Sequence, residues 1–199
     1  MSSQKKTKEQ TAEKILTSAC NLIGENHDEI VTMADIAKAA GISRQALYLH
    51  YPNRADLLVA LARHADKIHN IDARLDASRR ATVGVERLHL FIDAWGNYIP
   101  DVYCIASALF AMKDTDEAAE AAWNDRMNAL RHGCEAAVKA LQHDGVLSAD
   151  RSVKEATDIL WTMLSIQNWE LLTRSCGWSQ ERYIHNLQQM TAQILTDKG

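Results

Sequence analysis

Arg44-Gln45-Ala46, followed by Tyr48, Leu49, His50 and Arg54, places in one short stretch the side chains that read a nucleic-acid duplex. The Arg44 fork bonds guanine O6 and N7 together, the Gln45 amide pairs with adenine N6 and N7, and Ala46 and Leu49 offer apolar atoms to a thymine methyl. Tyr48 and His50 end in polar tips suited to phosphate oxygens, and Arg54 adds a charge beside the N–H groups that open a helix. Thr32 stands in the same position at the start of an earlier helix. Further upstream, Lys5, Lys6 and Lys8 read either as a solvated tail or as a flexible arm for the adjacent backbone or minor groove.

Other chemistries lack their residues. The chain contains no GxSxG, GxGxxG, P-loop or HExxH pattern, and its eight histidines include no pair spaced i, i+4 that would grip a metal from one helix face. Cys20, Cys104, Cys134 and Cys176 are widely separated, with no CxxC pair, and read as reduced core thiols. The expectation is a non-enzyme with no metal and no cofactor, although spacing does not test a site assembled in space.

Short capped helices must hold the duplex-reading side chains on one face. Thr32 caps a helix over 33–40 and Ser43 one over 44–51, with Gly41-Ile42 as the turn between them. Ile36, Ala37, Ala40, Ile42 and Leu47 then meet where two helices cross steeply, which calls for a small residue at the crossing and a glycine at the reversal. With Leu47 and Tyr51 inward, the 100° step per residue sends Gln45 and Leu49 outward, with Ala46 and Tyr48 on the flanks. Pro52 stops the second helix, and Asn53 caps a longer one fading near Ile71.

The remaining punctuation gives a helix from a Thr7-x-x-Gln10 capping box to Gly24 and a charged hinge or loop over 72–81. Behind it come helices over 82–97 and 101–112, one from the Asp114-x-x-Glu117 box to Gly145, one over 152–175 and one over 179–197. That makes nine. Composition agrees: of 199 residues 47% are hydrophobic and 24% charged, with only two prolines, so the chain folds and favours helix. The net charge of -4 conceals an asymmetry, with seven bases and six acids up to Arg54 and fifteen and twenty after it. That distribution permits a phosphate-facing front. The start of the chain has no secretory pattern, and no apolar run approaches the roughly 20 residues of a membrane span, so a cytoplasmic protein without membrane contact is expected.

The segment from Thr32 to Leu58, above all Leu47-Tyr48-Leu49-His50-Tyr51-Pro52-Asn53-Arg54 followed by Asp56-Leu57-Leu58, resembles the helix-turn-helix signature of the tetracycline-repressor (TetR) family. The likeness covers the front third; the rest is similar only in the number, order and length of helices. Leu49 stands where an aromatic is common, and Ala34 where a polar or basic residue is frequent. The resemblance implies an all-α fold in two domains, a helix-turn-helix DNA-binding domain over 7–68 and a helical effector-binding and dimerisation domain over 69–199. It also implies a homodimeric bacterial transcriptional regulator, usually a repressor, that leaves its operator when a small molecule binds the rear domain.

Two features of the rear part bear on those expectations. From Ile159 to Leu172 the chain is apolar nearly all round, and a helix hydrophobic on every side must be covered on every side. The expectation is a four-helix dimer interface built from Ser152–Ser175, Ser179–Asp197 and their twins. In the region where related proteins hold an inducer, His89, Trp95, Tyr103, Trp123, Met127 and Trp161 are the candidate ligand residues, suited to a small hydrophobic or aromatic effector. Aromatics at helical spacing are also what an ordinary core contains. A helix-turn-helix also occurs as a purely structural corner, so a helical scaffold or interaction dimer is the alternative, with an enzyme further behind.

Overall fold

The computed structural model describes the backbone of residues 2–25 and 31–197, and the side chains of these except residues 2–6, 24, 25 and 118. In chain order it has α1 (Ser2–Glu25), α2 (Met33–Ala39), α3 (Arg44–His50), α4 (Arg54–Ile68), α5 (Ile71–Arg80), α6 (Gly84–Met112) and α7 (Glu117–His143). Then follow α8 (Val153–Met163), α9 (Ile166–Glu170), a π-helical turn (Leu171–Ser175) and α10 (Gln180–Leu195). With 153–175 counted as one bent helix, there are nine helices among the described residues. The described residues contain no strand, only an isolated bridge between Leu147 and Thr196. None of their helices is long and apolar enough to cross a membrane. The chain divides into a front unit, Met1–Ile68 with Val102–Asp125, and a rear unit, His69–Asp101 with Arg126–Gly199.

In the front unit α1 packs against α2 and α4, and α2 against α3. Ile15, Ala19, Ile36, Ala37, Leu47, Leu57 and Leu61 form its buried interior, drawn from positions that the 3.6-residue period puts on facing stripes. Helix α1 begins at Ser2, so Thr7 lies inside it and opens nothing; the Thr11 hydroxyl donates back to the Thr7 carbonyl at 2.9 Å. Gln, Lys and Glu all propagate a helix well, and the expected flexible leader is helical backbone. The side chains of Lys5 and Lys6 lie outside the described residues.

The rear unit has a buried interior of its own. Leu88 and Ile92 of α6, Leu130, Cys134, Val138 and Leu141 of α7, and Leu160 of α8 are buried. Four expectations are corrected. Residues 71–80 are helix, because the charges that suggested a loop pair along it: Arg80 with Asp76 four residues earlier and Arg79 with Asp72, an arrangement that supports a helix. Helix α7 is capped by Asp116, whose Oδ1 accepts from Ala119 N at 3.3 Å, while Asp114 pairs with Lys113. The helix over 153–175 bends at Leu164-Ser165, where Asn168 Nδ2 takes the Thr162 carbonyl at 2.7 Å and Trp95 Nε1 the Leu164 carbonyl at 2.9 Å. Cys176 is exposed rather than a core thiol.

Pro100 does not end a helix, since α6 runs from Gly84 to Met112 with the proline inside it. A proline has no N–H for the carbonyl four residues back, here that of Gly96. Gln180 supplies the missing donor: its Nε2 reaches the Gly96 carbonyl at 2.7 Å, and its Oε1 accepts from Trp169 Nε1 at 2.9 Å. Gly96 also has to be glycine, because a Cβ there would stand 2.6 Å from Ile184 Cγ1. The approach of α10 to α6 at this point both requires the glycine and repairs the proline.

Candidate nucleic-acid interface

Four short-range devices build the recognition corner. Thr32 caps α2 through a complete capping box, its Oγ1 accepting from Asp35 N at 3.2 Å while the Asp35 carboxylate accepts from Thr32 N at 3.0 Å. The helix then closes on Gly41 at φ +63. Ile42 N bonds to the Ala37 carbonyl and Gly41 N to the Lys38 carbonyl, each at 3.0 Å, the paired closure that a left-handed residue makes possible. Ser43 Oγ accepts from Ala46 N at 3.1 Å and starts α3. Beyond Pro52, Asn53 Oδ1 accepts from Asp56 N at 2.8 Å and starts α4.

These caps fix the rotation of α3. Leu47 is fully buried, whereas Arg44, Gln45 and Tyr48 are exposed and Leu49 is 74% exposed. An apolar side chain so open on a short helix offers its surface outward, and a thymine methyl suits its chemistry. Ala46 and His50 are half-buried on the flanks, as are Tyr51 and Arg54. The first N–H groups of α4 lie next to Arg54 and have no intrahelical acceptor, which makes that end a donor site for an anion.

Thr32 is exposed, but its hydroxyl donates to Asp35 Oδ2 at 2.5 Å. That hydroxyl, then the Thr32 backbone N–H, hold the Asp35 carboxyl below the ordinary carboxylate range, with Lys38 adding to the effect. A phosphate approaching Thr32 therefore meets an ionised carboxylate. Sequence reasoning named Thr32 and missed Asp35; the signal was present as an acid three residues after a capping threonine. Asp56, which pairs with the Asn53 cap through Asn53 Nδ2 at 3.1 Å, was missed in the same way.

The six candidate ligand residues divide between the units. In the front unit Tyr103 and Trp123 are buried, and Trp123 lies 5.1 Å from Phe110 at 57° between ring planes. In the rear unit Trp161 Nε1 donates to the Met127 carbonyl at 3.2 Å, and Trp95 Nε1 to the Leu164 carbonyl. Both indole N–H groups are used within the protein, so these tryptophans present only ring surface. His89 is half-buried, with its Nε2 buried and without a hydrogen-bond partner.

Residues 15–61 match the model of the bacterial regulatory proteins of the tetR family. The chain is 38% identical over 63 residues to the transcriptional repressor LfrR of Mycolicibacterium smegmatis, a match spanning 32% of this chain and 32% of that protein. Its fold is shared with a transcriptional regulator from Saccharomonospora viridis in complex with choline, at TM-score 0.78 and 18% identity over 96% of this chain and 100% of the other. It is shared too with a TetR regulator from Haloarcula marismortui, at TM-score 0.74 and 19% identity over 95% and 100% of the two chains. The matched segment 15–61 is the one that contains α2, the Gly41 turn and α3. In its helix-turn-helix segment the chain is similar to the bacterial regulatory proteins of the tetR family.

Proposed function

We propose that the chain is a transcriptional regulator that binds operator DNA as a homodimer, represses from there, and is released when a small effector occupies its rear domain. The observation that carries the reading is the rotation of α3, with Leu47 fully buried beneath exposed Arg44, Gln45, Tyr48 and Leu49. Arg44 reads guanine, Gln45 adenine, and Ala46 and Leu49 a thymine methyl. Tyr48, His50 and Arg54 meet phosphates, whereas Thr32 gives its hydroxyl and N–H to the Asp35 carboxylate; of the three, Arg54, at the donor-rich start of α4, gives the strongest sequence-independent contact.

Two copies joined through 152–175 and 179–197 present two α3 helices to half-sites on one duplex. Leu171, 57% exposed within the first of these segments, is the apolar surface that such an interface covers. The candidate effector residues of the rear unit are His89, Trp95, Met127 and Trp161, and those of the front unit Tyr103 and Trp123; the Saccharomonospora regulator, which holds choline, supports small-molecule control. A ligand that binds better to a form whose α3 helices no longer match successive grooves shifts the population off DNA. A DNA-binding regulator works in the cytoplasm.

A gel shift on the DNA upstream of the protein's own gene, repeated across salt concentrations, tests the reading. Affinity falling steeply with salt supports it, because phosphate contacts release counterions. No shift on that DNA, or one insensitive to salt, returns the chain to a helical scaffold.

A further inference from the structure

Helix α2 buries Met33, Ile36 and Ala37, with Ala40 buried at its end, and exposes Thr32, Asp35, Lys38 and Ala39. At 100° per residue these exposed residues fall on one stripe. In a helix-turn-helix the second helix enters the major groove while the first crosses the phosphate backbone, so this stripe belongs to the surface that meets phosphates when α3 is seated. Its charged members are one acid and one base, Asp35 and Lys38, close to a single turn apart.

Asp35 acts on that surface in two ways. Its carboxylate takes both donors of Thr32, the hydroxyl at 2.5 Å and the backbone N–H at 3.0 Å, so neither is free for a phosphate oxygen. It also interacts electrostatically with Lys38 across the turn and so offsets the ammonium charge. The cap itself does not need a charge, since an uncharged glutamine serves in a capping box as glutamate does. The charge of Asp35 therefore exceeds what the start of α2 requires, and it sits on the helix that crosses the backbone.

Resting on the reading of the chain as an operator-binding regulator, we infer that Asp35 limits the affinity of the chain for DNA by withholding Thr32 and Lys38 from the phosphate backbone. The limit applies to every sequence, because phosphates carry no base information. It also bears on release. An effector dissociates the complex only by as much as its own affinity differs between the two forms of the protein, and a weaker backbone grip leaves less to overcome.

The test titrates two fluorescently labelled duplexes, the DNA upstream of the gene and one of unrelated sequence, with the full chain across salt concentrations, and reads anisotropy. Asp35→Asn keeps an oxygen for the cap and removes the charge. One charge about 8 Å from a phosphate in a water-like dielectric changes affinity roughly two- to threefold, so a dimer of the variant should bind both duplexes about fivefold more tightly. The salt dependence should steepen by about one unit of log–log slope for each Lys38 released. Asp35→Glu, which keeps the charge and the capping box, should bind as the wild type does. Lys38→Gln should weaken binding to both duplexes, flatten the salt dependence and reduce the gain from Asp35→Asn. An Asp35→Asn protein that binds no more tightly than the wild type, whatever its Tm, overturns the inference, and so does a gain undiminished in the Lys38→Gln background. Should Asp35→Asn fail to fold, Lys38→Gln decides alone: a flattened salt dependence supports the inference and one equal to that of the wild type overturns it. A wild type that binds neither duplex refutes the regulator reading, whereas one that binds and gains nothing from Asp35→Asn refutes the role of Asp35 alone.

Discussion

Replacing Gln180 with Met removes both hydrogen bonds at the junction of α6, α9 and α10 while keeping the side chain's length. The Gly96 carbonyl then has no donor, because residue 100 is proline, and the Trp169 indole N–H has no acceptor. Each buried group left unpaired costs about 1–3 kcal/mol. Gln180 is half-buried, so water relieves part of this, and the expected loss is about 3 kcal/mol. For a domain of this size that corresponds to a fall in Tm of roughly 6–12 °C. The proline supplies an internal control. Pro100→Ala returns an N–H to the Gly96 carbonyl, so in the Gln180→Met background it should recover about 1.5 kcal/mol. In the wild-type background it gains nothing comparable, because Gln180 already serves that carbonyl. Chain-entropy effects of removing the proline are common to both backgrounds and cancel in the double-mutant cycle. Urea unfolding of the four proteins measures the coupling. Strictly additive effects would refute the claim that Gln180 substitutes for the helical donor that Pro100 lacks.

At the DNA face, Arg44→Ala should relax base preference at one position per half-site, at a cost of about 1–3 kcal/mol, while Arg54→Ala weakens all sequences alike and flattens the salt dependence. Competition gel shifts on operator variants check this, and the reverse pattern would exchange the two assignments. His64 is buried in α4 with its Nε2 3.4 Å from the Thr17 hydroxyl. Desolvation lowers its pKa, Lys67 adds to that, and Glu13 opposes it. The unfolded chain therefore binds this proton more readily than the folded one, so stability should decline as pH falls through the ordinary histidine range near ~6.5 and on toward the lowered folded value. Urea midpoints between pH 8 and 5 should show a shallower decline for His64→Gln; parallel curves would remove His64 from the explanation. Leu171→Glu places a charge on the apolar surface assigned to the dimer, and sedimentation should show a shift toward monomer, whereas an unchanged dimer would place the interface elsewhere.

The parts of this fold that were legible in the sequence are those fixed within one turn of chain. Thr32, Ser43 and Asn53 were read as caps, and each accepts a hydrogen bond from a backbone N–H three residues on. The inward position of Leu47 and the outward one of Leu49 follow from the same local period. What was not legible depends on residues far away in the chain. Pro100 looks like a terminator until Gln180 is seen on the Gly96 carbonyl, and the bend at Ser165 depends partly on Trp95, whose N–H takes the Leu164 carbonyl. The grouping of 102–125 with the front unit has no local signal either. Within the site, the Asp35 carboxylate beside Thr32 was legible and overlooked.

The central claim is that the outer face of α3 enters the major groove, once from each of two copies. Dimethyl sulfate footprinting on the bound upstream DNA measures this directly, because guanine N7 is exposed in the major groove. Two patches of protected guanines on one side of the duplex are expected, spaced by about one helical turn or a distance set by the dimer, with both weakened in Arg44→Ala. A bound complex in which every guanine N7 remains as reactive as in free DNA, or in which only a single patch is protected, would contradict it.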